Sequence, residues 1–180
     1  MAESDSSSRE GIPAEFVPFR FAVHLFSDTE QDPEQLASKS VDGAVCGAAF
    51  SEVTGLEATM QPKKIQEGGR NWGELIRVGA TTFAQVTLKR GMTTVNDAFV
   101  WFDTVTRLAN YGYRMSARID VRDTRDRALE PVLTWVLLNV LPTRFKGADL
   151  SSTAKDVAVE ELQLTHEGLM LVRRAAPIQP

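Results

Sequence analysis

Cysteine is almost absent from this chain. Cys46 stands alone among 180 residues, so neither an intramolecular disulfide nor a cysteine-rich zinc site can form. A reducing compartment is the expected place of synthesis. Histidine is nearly as scarce: His24 and His166 are the only two, too few for a metal cluster. Each reads as a surface strand residue before it reads as a catalyst. No serine sits in a G-x-S-x-G elbow, and the G-x-x-x-x-G-K-[ST] phosphate loop is missing. A basic excess is missing too. The 24 acidic and 20 basic residues leave a net charge of -4, unlike a dedicated nucleic-acid binder. The longest apolar run, Val132 to Leu141, lies between Pro131 and Pro142. It falls short of the roughly 20 residues that a membrane helix needs. The opening MAESDSSSRE is acidic and serine-rich, which is not a secretory signal. No direct membrane binding, metal or cofactor is expected, and no enzyme emerges.

What is present is ordinary globular composition, 43% hydrophobic and 24% charged. A chain of this length buries roughly two-thirds of its unfolded surface, so no staples are required. Residues 1–15 read as a flexible leader, 16–172 as one β domain and 173–180 as a tail. FRFAVHLF alternates apolar and polar positions, which predicts a half-buried strand. Residues 27–43 are polar and weakly periodic and read as a long surface loop, with a helical turn at Pro33 to Ala37. GAAFSEVTGL and EATMQPKKIQ read as short strands. TTFAQVTLKRG reads as a strand with Ala84, Val86 and Leu88 on one side. RMSARIDVRD alternates most cleanly, which predicts one buried and one wet face. VLTWVLLNVL is apolar on both parities and fits a doubly buried strand or a buried helix. Its β-branched residues and flanking prolines favour the strand. VAVEELQLTHEGL reads as the last strand, with a bulge where its parity slips between Val159 and Leu162.

One helix is expected between TLKRG and RMSAR. Thr94 and Asp97 form a start signal, Val95, Phe99, Phe102, Val105 and Leu108 recur at helical spacing, and NYGY ends it. About six or seven strands and one helix imply a β-sandwich or small barrel with a flanking α-helix.

Charged and glycine-rich positions remain to be placed. EGGRNWG has hairpin-tip chemistry. Arg70 and Trp72 there suit a protein contact; a solvated loop with the Trp folded back fits the same residues. Lys89 and Arg90 end a strand, either as a solvated terminus or as an edge contact with another subunit. DVRDTRDRALE alternates in sign and reads as a wet loop. Cys46, beside Gly47 and before an apolar strand, reads as a buried inert thiol.

AAFSEVTGLEA, EGGRN, VTLKRGMT, DAFVWFD, WVLLNVLPTRFKG and VAVEELQLTHEGL follow one another in order. Together, from Phe19 to Val172, they resemble the tail-tube proteins of contractile phages and related injection machines. The type VI secretion tube protein has a similar fold. The resemblance implies a hexameric ring, stacked into a tube inside a sheath that conducts DNA or effector cargo. Expected partners are further copies of the chain, adjacent tube rings, sheath, and baseplate or spike proteins. Synthesis and assembly would be cytoplasmic, with the product in a phage tail or tail-like particle. The resemblance also implies a long hairpin from Glu57 to Ala84 that reaches a neighbour. Subunit contacts are expected at Gly68, Gly69, Arg70, Asn71 and Trp72, and at Lys89, Arg90, Asn96 and Asp97. Segments 1–15, 27–43 and 173–180 exceed the usual tube protein, which keeps a baseplate-proximal initiator ring open beside the main tube. A small-ligand-binding β-barrel is the runner-up.

Overall fold

A computed structural model describes residues 20–27, 32–48, 50–69, 71–93, 95–122, 131–148 and 158–173. In chain order the strands are β1 (Arg20–Phe26), β2 (Cys46–Ala48), β3 (Glu52–Thr54), β4 (Ala58–Met60), β5 (Lys63–Ile65), β6 (Leu75–Arg77), β7 (Thr81–Phe83), β8 (Val86–Gly91), β9 (Met115–Arg122), β10 (Leu133–Lys146), β11 (Val159–Thr165) and β12 (Gly168–Arg173). The helices are α1 (Pro33–Ser38) and α2 (Asp97–Thr106), and a 3-10 turn spans Val41–Gly43. The fold is mainly β, as expected. The helical turn anticipated near Pro33 is a second helix.

The large sheet runs β2-β1-β9-β10-β11-β8-β3, with β12 also on β10. One strand joins its two halves. Leu133 to Leu138 of β10 pair with β12, and Leu133 to Leu137 with β9. Leu141 to Lys146 pair with β11. Between them Asn139 takes a left-handed φ of 51°, and the register against β9 shifts between Leu137 and Val140. Such a bend lets one strand serve two packed sheets. VLTWVLLNVL is therefore a strand, and Pro142 does not end it. The register also shifts between Pro142 and Arg144, and a bulge is where a residue without an N–H is tolerated inside a sheet. The bulge expected in VAVEELQLTHEGL is thus across the ladder on β10, since β11 pairs β8 without interruption from Val159 to Leu164. The chain then turns at His166 and Glu167 and returns as β12, whose last residue, Arg173, is the first of the segment read as a tail.

The main core lies between the two halves. Val23, Leu25, Ala117, Ile119 and Leu137 from one half meet Val86, Leu88, Leu162 and Leu164 from the other. Helix α2 closes this core with Ala98, Trp101 and Val105. The buried stripe is therefore displaced from the sequence reading: Val95, Phe99 and Leu108 are exposed. Phe99 and Phe102 pack instead on Phe145, with centroids 5.4 and 6.4 Å away.

The opposite face of β9 is not wet. Ser116, Arg118 and Asp120 are all buried, because α1 packs over this side. Asp32 caps α1 by accepting from the Glu34 amide at 3.0 Å, with Pro33 in the first turn. Leu36, fully buried, drops onto Phe26 and Val136 as a second small core. Residues 32–44 are thus an integral layer rather than a surface loop.

TTFAQVTLKRG is broken in two. Gly55, at φ 86°, lets the chain pass the Gln85 backbone so closely that a Cβ would collide with the Gln85 carbonyl. There the chain leaves the sandwich as a ribbon: β4 pairs β7, and β5 pairs β6, as two separate ladders. Expectations for residues 1–15, Arg70, Thr94, residues 123–130, the Cys46 side chain and residues 174–180 lie outside the described residues.

Candidate assembly interface

The join between β8 and α2 encloses a cation. Arg90 is 3% exposed and faces Glu160 across the β8–β11 ladder. Its Nε donates to Glu160 Oε2 at 3.0 Å. Its Nη2 donates to Asp97 Oδ1 at 2.8 Å and to the Val95 carbonyl at 3.2 Å. The Phe50 ring lies 5.9 Å from the guanidinium carbon. A planar fork with several donors suits such a bridge, where a lysine would serve only one side. The arrangement ties β8, β11 and the first turn of α2 together. Arg90 and Asp97, expected at a subunit contact, are engaged inside the subunit.

Lys89 alternates to the other side of the strand. Its Nζ donates to both Glu52 carboxylate oxygens, at 2.9 and 3.0 Å, and so holds edge strand β3. The Glu52 hydrogen bond, then its charge, raise the Lys89 pKa above its ordinary value. The pair is solvated and adds little stability. Asn96 stands at the start of α2, exposed, with no side-chain cap bond.

The ribbon contrasts with this seam. From Ala58 to Ile65 it extends about 25 Å if straight. Gly68 and Gly69 form its turn, with Gly69 at φ 89° and Gly73 at φ 95°. Asn71 is exposed, and Trp72 is 96% exposed. The indole does not fold back onto the protein. Ile76 and Val78 are 67% and 81% exposed, and Met60 is also in solvent. A two-stranded ribbon is marginal alone, and clustered exposed apolar groups mark contact sites. At its root Phe83 packs on the His166 ring, with centroids 5.2 Å apart. Sequence reasoning found the glycines and Trp72. It missed Met60, Ile76 and Val78, whose exposure depends on the ribbon standing off the body.

A third group lies under α1. Arg118 Nη1 donates to the carbonyls of Leu36, Ala37 and Lys39, at 3.3, 3.2 and 2.6 Å, capping the helix end. Its Nη2 pairs with Asp120 Oδ2 at 3.0 Å, and Thr134 Oγ1 donates to Asp120 Oδ1 at 2.9 Å. His24 Nε2 lies 3.8 Å from Asp120 Oδ2. Burial, then the Arg118 charge, lower the His24 pKa; burial also lowers that of His166. This layer fastens α1 to the sheet and needs no bound ion. Among the described residues no group of histidine, cysteine and carboxylate side chains is arranged to hold a metal.

Such a body, with a bent shared strand, a flanking helix and a projecting ribbon, can be compared with known proteins. Residues 17–170 match the family model of the T4-like virus tail tube protein gp19. The chain belongs to this tail tube family. Its fold is shared with a chain of the anti-feeding prophage baseplate, at TM-score 0.67 and 22% identity, over 90% of this chain and 98% of that one. A chain of the PVC sheath-tube complex, an extracellular contractile injection system in its extended state, aligns at TM-score 0.69 and 20% identity, over 95% and 100%. A chain of the anti-feeding prophage tube-terminating cap aligns at TM-score 0.71 and 16% identity, over 96% and 100%. A search of curated proteins gives no match. Tail tube membership makes the chain a structural subunit, and gives the exposed ribbon and the sealed seam different meanings.

Proposed function

We propose that this chain is a subunit of the inner tube of a contractile phage tail or injection system. Six copies close a ring, rings stack, and the bore conducts DNA or effector cargo when the sheath contracts. The chain would be made and assembled in the cytoplasm and would work without enzymatic chemistry. Its partners would be copies of itself, adjacent rings, sheath, and baseplate or spike proteins.

The observation that carries this reading is the ribbon, in a member of the tail tube family. It places Trp72, Ile76 and Val78 in solvent, without cover from the described residues. A neighbouring subunit supplies that cover. The short edge strands β2 and β3 likewise offer backbone groups that a closed ring would pair. The net charge of -4 suits a conduit, since basic walls would hold DNA through counterion release. A ligand-binding barrel is less well supported. The cleft between Phe50, Leu88, Ala98, Phe145 and Leu162, which also holds Arg90 and Glu160, has no interior room even for a water molecule, whereas small-molecule pockets run from about 300 Å³ upward.

The test is electron microscopy of particles carrying a tagged copy. Label in hexameric rings along the shaft places the chain in the main tube, and label in one ring at the base makes it the initiator. Label that never enters a tail-like particle refutes both.

A further inference from the structure

The two faces of the ribbon differ. Lys63 stands directly opposite Arg77 in the β5–β6 register, and Ile65 opposite Leu75. These four residues share one face, because side chains alternate along each strand. Lys64 and Ile76 lie on the other, where Lys64 Nζ already pairs with Glu74 Oε2 at 3.2 Å. Lys63 and Arg77 are both exposed, and among the described residues neither has a carboxylate partner. Like charges facing each other across a ribbon destabilise it. An acidic group brought from outside would turn that repulsion into attraction, and beside it Ile65 and Leu75, half-exposed, call for apolar cover.

A matching surface exists on the same chain. The α1 segment presents Glu34 and Asp42, both exposed. The Asp42 carboxylate accepts only from Ser40, at 3.0 Å, and no cation sits on either carboxylate among the described residues. The lysine of this segment is drawn away: Lys39 Nζ lies over the Phe26 ring, 5.3 Å from its centroid. Val41 and Val45, at 45% and 48% exposure, flank Asp42. One surface is thus basic and apolar, the other acidic and apolar.

We infer that in the assembled tube the Lys63–Arg77 face of each ribbon docks on the α1 segment of a copy in the next ring. Lys63 and Arg77 meet Glu34 and Asp42, while Ile65 and Leu75 meet Val41 and Val45. This rests on the proposed tube function and adds the identity of the contact. It also gives residues 32–44 a role in stacking: α1, clamped by Arg118, is a rigid seat and the ribbon is what sits in it.

The test is reciprocal charge reversal in the full chain, read as the amount of tagged subunit in purified tail-like particles. Lys63→Glu with Arg77→Glu should cut incorporation about tenfold or more, because like charges now meet across the contact. Glu34→Lys with Asp42→Lys should do the same. The fourfold variant, with both charges exchanged, should return to within about threefold of the unmodified chain. Circular dichroism of each purified subunit checks folding. If a reversal fails to fold, Lys63→Gln with Arg77→Gln and Glu34→Gln with Asp42→Asn replace it, each with an expected loss of about threefold. Three results overturn the inference alone: an acidic-pair variant that incorporates normally, a fourfold variant no better than either double, or a label confined to one basal ring. Failure of the unmodified chain to enter any particle overturns the tube function itself, and this contact with it.

Discussion

The seam at β8 and the ribbon between β4 and β7 begin from similar material, short strands carrying arginine, lysine and glutamate. They end in opposite states. At the seam Arg90 is closed in by Glu160, Asp97 and the Val95 carbonyl. On the ribbon Arg77 is exposed, and its cross-strand partner is another cation. The difference follows from what covers each strand. Strand β8 has β11 on one side, β3 on the other and α2 above, so a charge there must find its counter-ions within the subunit. Strands β5 and β6 have only each other, so their charges are left for another molecule. Charged residues at strand ends therefore divide into those that hold the subunit together and those that the proposed assembly would use between subunits.

The sharpest way to break this comparison is Arg90→Ala. It should lower subunit stability by about 2–4 kcal/mol, because the half-buried Glu160 and Asp97 are left without their buried cation. Urea unfolding of the purified chain reads this, and a loss under about 1 kcal/mol would mean that the seam is solvated after all. Next is Leu36→Ala. If α1 is a true layer, the loss should be about 2–4 kcal/mol by the same measurement; a surface loop would lose almost nothing.

A pH series comes third. Both histidines have pKa values lowered from 6.5, chiefly by burial, so the folded state holds them neutral where the unfolded chain takes up protons. Their contribution is intact above pH 6.5 and is lost as pH falls from there through the lowered values. Melting temperatures measured from pH about 7.5 down to about 5 should therefore fall, and His24→Gln should flatten the slope. An unchanged slope in that variant would remove His24 from the account. The smallest expected effect on stability is Trp72→Ala, within about 0.5 kcal/mol, together with a clear loss of particle incorporation. A large loss of stability would make the indole part of the subunit's own core.

Much of the body was legible in the sequence. Alternation in RMSARIDVRD reports a strand whatever covers it, while the doubly apolar VLTWVLLNVL fits strand or helix and is tipped to strand by its β-branched residues and flanking prolines. The helix after TLKRG was legible in kind but not in rotation. Phe99 and Phe102 look like core residues, yet Phe145 offers them a separate seat, while Ala98 is small enough to approach the sandwich. The polar side of β9 was misleading. Arg118 and Asp120 look wet until α1 is placed above them, and α1 announces itself only through Asp32, Pro33 and a single apolar anchor, Leu36. Arg90 was ambiguous for a related reason. Its partner Glu160 is distant in the chain and becomes visible only when β8 is paired with β11. The ribbon was foreseen, by resemblance to tail-tube proteins and from its glycines, but which of its apolar groups stay in solvent depends on its standing off the body.

Strand β10 belongs to both halves of the sandwich, bending at Asn139 to do so. Sliding one half over the other would therefore strain covalent backbone as well as pull apart packed surfaces. A subunit stitched in this way resists shear, which would serve the proposed tube if it is driven forward under load.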